Sequence, residues 1–331
     1  MRRLLLLTLF IPVLAFTGIA AAGGTTIALV AFSTPQPVVK TLVSNWQNTQ
    51  AGNGVNFTQS YGPSSSQAQA IVNGQPADIA FLSNALDIDT LVKNNLVVKN
   101  WTKKLPQGGM VANSVVAFVV RPGTPKHIKT WADLLKPGVQ IVTPDPFPSG
   151  GAKWNVLAAY GAQRAAGKGD AKATKFVLHL FQHVVAQPSS ASAAMSAFLS
   201  QEGDVLLTYE SEAYSAQLAG KAVEIHVPKP TMLIQLPMVP IIGAPSQATQ
   251  FIDFAHTAGA QKLFVKDGYR PVVKSVLNDP SVSDWKARFN TGKTFSVTNA
   301  WFGGWLRANN VWFDQNGKMV KIEQAVGGPT S

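Results

Sequence analysis

Three short runs rich in β-branched and aromatic residues stand near the start of the chain: TTIALVAF at 25–32, VNFTQSY at 55–61 and ADIAFLS at 77–83. The segments between them have helical spacing. After Ser33-Thr34-Pro35, Val39, Leu42, Val43 and Trp46 recur at i, i+3, i+4 and i+7. After Gly62-Pro63, Ser64-Ser65-Ser66 opens a pattern that turns Ala68 and Ile71 inward. A β-α-β-α-β order needs helical crossovers between strands that run the same way, so it predicts an α/β fold with a parallel sheet and helices on its faces.

Strand-like runs continue at NSVVAFVVRPGTP (113–125), QIVTPDP (140–146), GDVLLTYE (203–210) and VEIHVP (223–228), and MLIQLPMVPII (232–242) is an extended apolar return. The tail is helical, interrupted by FGGW at 302–305. This alternation exceeds one sheet, and 331 residues allow one large or two medium domains. We expect two α/β lobes with crossings near 111–115 and 230–238: residues 23–112 with 236–331 in lobe I, and 113–235 in lobe II.

Residues 1–22 read as a cleavable secretory signal. MRR supplies the positive end, LLLLTLFIPVLAF the apolar stretch, and Ala20-Ala21-Ala22 a small-residue cleavage site. No later run is apolar enough to span a bilayer. The chain has no cysteine, which excludes disulfides, thiol nucleophiles and lipid attachment through cysteine. A secreted, unanchored chain fits the periplasm. Arg2 and Arg3 leave with the leader, which lowers the formal charge from +11 to about +9. The lysines are scattered, with Lys103-Lys104 the one adjacent pair after the leader, and no basic aromatic strand of the RNA-reading kind is present. Nucleic acid is therefore not expected as a partner, and a weak field drawing small anions is.

One device recurs. A strand ends in a small hydroxyl residue and a helix follows, at Ser33, at Ser64, at Ser149 within PFPSGGAKWN (146–155), and at SSASA (189–193). Each helix start offers free N–H groups and the positive end of a dipole. Gly150 and Gly151 leave room for close approach to the backbone. In open α/β sheets, ligands sit beyond the strands' carboxyl ends, where these turns fall. Serine before a helix is also a good N-cap with no ligand at all, so the pattern permits an anion site without naming the anion.

PFPSGGAKWN is similar to the SSGGARWN segment of the periplasmic sulfate/thiosulfate-binding proteins of ABC transporters. NWTKKLP (100–106), RPGTPKHIKTWADLLKPGVQIVTPDP (121–146), GDVLLTYESEA (203–213), YRP (269–271) and FGGW stand in that family's order and spacing. The resemblance implies a two-lobed type II binding protein, each lobe a mostly parallel sheet flanked by helices. It would deliver a dehydrated anion, sulfate or thiosulfate, from the cleft to a permease and ATPase complex, as a monomer without cofactor. Carried onto matching positions, it implies ligand contacts from the Ser33 backbone, Ser64 with its hydroxyl, the Ser149 hydroxyl, the N–H groups of Gly150, Gly151 and Ala191, and Tyr209.

The chain departs from the family's pattern in three places. Ser33 stands where aspartate is usual, Tyr209 where tryptophan is usual, and Ser192 where an arginine follows the Ala191 position. All the matched positions are donors, and loss of the aspartate removes the nearby carboxylate. Sulfate carries no proton at neutral pH and only accepts hydrogen bonds, whereas protonated phosphate needs an acceptor. A fully ionised tetrahedral dianion is favoured, with molybdate the alternative.

Other motifs carry less. His179 and His183 in HLFQH have zinc-protease spacing and suggest a metal-dependent hydrolase, yet Leu180 stands where the catalytic glutamate belongs. GAQRAAGKGD (161–170) is one residue too long for a phosphate loop and lacks Ser/Thr after Lys168, so it reads as a helix end. Glu210 and Glu212 fit a hinge or docking surface better than acid–base catalysis, and no metal or catalytic residue is expected.

Overall fold

The computed structural model describes residues 24–124, 126–289 and 292–330, and the leader-like segment 1–22 lies outside them. β1 (Thr26–Phe32), α1 (Gln36–Gln47), β2 (Asn56–Gly62), α2 (Ser64–Val72) and β3 (Ile79–Phe81) follow the order read from the sequence. β1 is parallel to both β2 and β3. α1 buries Val39, Leu42, Val43 and Trp46, the stripe its spacing dictates. After α3 (Ala85–Lys93) and the short α4 (Trp101–Lys104) comes the long β4 (Met110–Val120), which is almost wholly buried.

β5 is only Ile141–Val142, because Pro144 and Pro146 have no N–H to continue a ladder. Next come α5 (Gly150–Ala165), α6 (Asp170–Phe181), β6 (Val184–Ala186), α7 (Ala191–Leu199), β7 (Val205–Tyr209), α8 (Glu210–Leu218) and β8 (Glu224–His226). The long β9 (Thr231–Pro240) returns, followed by α9 (Ser246–Ala255), α10 (Ala258–Lys266), α11 (Trp285–Arg288), β10 (Thr294–Phe295), α12 (Trp305–Trp312) and α13 (Lys318–Val326).

The strands run in the order β2-β1-β3-β9-β4-β7-β5-β6, with β8 beside β4 and β10 beside β9. Two parallel clusters, β2-β1-β3 and β7-β5-β6, are joined through β9 and β4, which pair antiparallel with β3, with β7 and with each other. β9 pairs with β4 through Leu233–Pro237 and with β3 through Met238–Pro240, while β4 passes from β9 at Val115 to β7 at Val116. The result is one curled mixed sheet.

α5 is the central helix. It is buried continuously from Gly150 to Ala162, as expected of a helix enclosed on all sides. Asn155 ties it to the sheet by donating to Thr143 Oγ1 at 3.0 Å and to the Leu207 carbonyl at 2.8 Å. The aromatics of the last part of the chain pack on α5. Trp305 meets Trp154 edge-on at 4.5 Å, Trp312 meets Tyr160 at 4.9 Å, and a Cβ at Gly161 would lie 2.2 Å from the Phe295 ring. Phe302 and Trp305 of FGGW are therefore core residues.

On α13, Glu323 is fully buried. Its Oε2 accepts from Gln187 Nε2 at 3.1 Å, while Glu323 Oε1 and Gln187 Oε1 are buried without a partner. Burial, aided by the charge of Asp145, pushes the carboxyl up to about 8. Burial favours the protonated, uncharged form of this carboxyl. Because the folded-state value lies above the unfolded one of about 4.3, the stabilisation is complete below about pH 4, declines as pH rises and is gone above about 8. Glu323→Gln, which keeps an amide donor, should therefore lose less stability than the parent between about pH 5 and about pH 8 in thermal melts. Parallel curves would refute this.

Candidate functional site

The carboxyl ends of both parallel clusters open onto one small, nearly filled cavity of about 10 Å³. Ser33, Ser64, Ser149, Gly150, Gly151, Ala191 and Tyr209 all lie on its wall. Ser33, after β1, is half-buried, but α1 starts only at Gln36 behind Pro35, so Ser33 caps nothing. Ser64 is the first residue of α2, with Pro63 as its N-cap. Ser149 caps α5 by accepting from Ala152 N at 3.4 Å, which leaves its own O–H free to donate. Ser190 caps α7 in the same way through Ala193 N at 3.1 Å, which makes Ala191 the first helical residue. The N–H groups of Gly150, Gly151 and Ala191 belong to first turns and have no intrahelical partner.

The Ser64 hydroxyl differs from its expected role. It donates to Asp87 Oδ2 at 2.6 Å and accepts from Ser83 N at 2.9 Å. Its free donor toward the cavity is the amide N–H, one of the first in α2. Asp87, behind it, also accepts from Ser65 Oγ at 2.8 Å and Asn84 Nδ2 at 2.9 Å. A carboxylate does lie near the cavity, contrary to the sequence reading, but these donors hold it away from the wall.

Ser83 was missed, although it repeats the strand-end signal: it closes the third strand run, and Asn84 caps α3 by accepting from Asp87 N. It lines the cavity and explains Gly150, since a Cβ at 150 would sit 1.7 Å from Ser83 Oγ. At Gly151 the added carbon would lie 2.9 Å from the Tyr209 ring. The two glycines thus make room for protein neighbours. Other bonds cross the cavity: Ser65 N donates to Pro148 O at 3.0 Å, Trp154 Nε1 to Ser83 O at 2.7 Å, and Lys153 Nζ to Ser65 Oγ at 2.8 Å.

Comparison with known proteins identifies the family. The family model of bacterial extracellular solute-binding proteins matches residues 27–270. The chain is 33% identical to a sulfate-binding protein of Synechococcus elongatus over 91% of its own length and 87% of the relative's. It is 31% identical to a thiosulfate-binding protein of Pseudomonas aeruginosa over 82% of this chain and 83% of that one. The solved structure of the sulfate-binding protein SubI from Mycobacterium tuberculosis H37Rv superposes with a TM-score of 0.82 at 36% identity, covering 88% of this chain and all of that one. The chain belongs to the bacterial extracellular solute-binding proteins.

In this solute-binding protein the cavity wall carries no charged side chain. The Tyr209 hydroxyl is buried without a partner, and burial holds it protonated far above the ordinary tyrosine range, so it remains a donor. Behind it, Glu212 is pushed up to about 7 by burial, against which Thr208 and Ser192 supply hydrogen bonds. Lys153 is fully buried, which lowers its pKa against the pull of Asp87 and Asp145, and its ammonium also donates to Phe147 O at 2.8 Å.

Among the described residues, no group of three His, Cys, Asp or Glu side chains could hold a metal ion, and no helix is long and apolar enough to cross a membrane. α6 ends before His183, whose Nδ1 lies 2.9 Å from Val139 O, so His179 and His183 do not share a helix face. Gly167, at φ 79°, stands just past the end of α5, as the helix-end reading of GAQRAAGKGD requires.

The tight fit at Gly150 gives a direct test. Gly150→Ala drives a methyl group into Ser83 Oγ and should cost about 1–3 kcal/mol in urea unfolding. Adding Ser83→Ala, which removes that oxygen, should restore part of the loss.

Proposed function

We propose that this protein is the soluble, non-catalytic substrate-binding component of an ABC importer and binds sulfate or thiosulfate. The observation that carries the reading is a cavity walled from both sheet clusters by hydroxyls and helix-start N–H groups, with no charged side chain on it. Such a wall solvates a dianion with fixed dipoles, each helix start contributing roughly half a positive charge. It offers no carboxylate to accept a proton, and hydroxyls that accepted one would be diverted from the dianion's oxygens. That disfavours protonated phosphate. The relatives named for sulfate and thiosulfate support the same ligand class.

In this reading Ser33 and Ser64 present one side of the anion, and Ser149, Gly150, Gly151, Ala191 and Tyr209 the other. The lobes close by bending where β4 and β9 exchange partners, and the anion shifts the population toward the closed form by binding it better. Residues 1–22 direct export to the periplasm and are removed, and the monomer then passes its ligand to a permease and ATPase complex.

Isothermal titration of the mature protein with sulfate, thiosulfate, molybdate and phosphate tests this. Heat with sulfate or thiosulfate and little with phosphate is expected. Heat with molybdate alone would move the protein to a sister specificity, and no heat with any of the four would end the reading.

A further inference from the structure

Adjacent residues Tyr269 and Arg270, on the segment after α10, reach both sides of the cavity without lining it. The Tyr269 hydroxyl, fully buried, lies 3.3 Å from Thr34 Oγ1, next to Ser33. Arg270 turns the other way. Its Nε and Nη2 donate to the two carboxylate oxygens of Glu210 at 2.7 and 3.0 Å, and Glu210 is fully buried and next to Tyr209. The Arg270 backbone exchanges two 2.8 Å hydrogen bonds with Asn113 of β4, close to where that strand changes partners. The neighbouring Ser211 N donates to Ser114 Oγ at 3.1 Å.

We infer that Tyr269-Arg270 is a positioning bracket that, in the closed form, sets the distance between the Ser33 loop and Tyr209 and so couples the two walls of the site. The inference rests on the anion-binding reading above. A buried bidentate pair cannot be half-made, because separating the partners leaves a charge without solvent or counter-charge. The β7–α8 turn must therefore move together with Arg270. Its neighbour Tyr269 engages the β1 turn, and β4 anchors both. Neither residue contacts the cavity, so each acts through Thr34 or Glu210.

The test measures sulfate and thiosulfate association and dissociation rates by stopped-flow tryptophan fluorescence, together with the anion-free melting temperature. Tyr269→Phe removes one hydroxyl. Glu210→Gln with Arg270→Met removes both charges and leaves neither unpaired. Each variant should bind about tenfold more weakly or worse, through faster dissociation with association little changed. Variants that melt lower in the absence of anion yet bind as tightly as the parent overturn the bracket, since that is the behaviour of a merely structural contact. Should the double variant fail to fold, Tyr269→Phe and Arg270→Lys decide by the same rates. A parent that binds neither anion overturns the functional reading along with the bracket, whereas a binding parent with unaffected variants overturns the bracket alone.

Discussion

In a parallel sheet every helix begins at the carboxyl end of the strand before it, so free N–H groups gather along one edge. This chain makes two such edges and turns them toward each other. β4 and β9 run antiparallel between the clusters and exchange partners at Val115–Val116 and at Pro237–Met238. That crossing sets the turns after β1, β2 and β3 against those before α5, α7 and α8. The cavity, its cross-wall bonds and the position of α5 all depend on it.

A doubly charged ion taken from water loses a hydration energy that no single contact can replace. Counter-charges on the wall could replace it, but buried ion pairs carry a large desolvation cost of their own. Amides at helix starts are already oriented, and they are held there by the burial of the helices behind them. α5 illustrates the point: Asn155 and the aromatic contacts of Trp154 and Tyr160 fix the helix, so its first N–H groups have little freedom. The nearby charges serve the scaffold. Asp87 organises Ser64, Ser65 and Asn84, and Lys153 clips Ser65 to Phe147 O.

The parts of the fold that are local were legible in the sequence. The β-α-β-α-β order, the buried stripe of α1 and the Gly167 helix end each follow from spacing over a few residues. Strand-end serines pointed to the cavity for the same reason. What was hidden depends on contacts distant in sequence. Nothing local says that Ser64 will donate its hydroxyl hydrogen bond to Asp87, or that Gly150 must admit Ser83 from 67 positions away. Ser83 carries the same strand-end signal as its counterparts, with Asn84 as the cap of the helix that follows. The tail hides its place in the same way: its aromatics declare burial but not which surface they cover, and α5 is part of that surface.

The three departures from the family's pattern differ in weight once they are placed. Ser33 alters least, because its backbone keeps its place at the end of β1 whatever the side chain. Ser192 alters the second row. It offers Glu212 a hydroxyl where an arginine would offer a charge, so burial prevails and holds that carboxyl at about 7. Tyr209 alters the wall itself. An indole N–H is a donor fixed in the ring plane, whereas a phenolic O–H can swing about its C–O bond and can accept as well as donate. With Gly151 pressed against its ring, Tyr209 is held in place as a side chain, while its hydroxyl, which has Ser83 beside it, can turn its proton. A site built this way keeps its shape while adjusting the direction of one hydrogen bond.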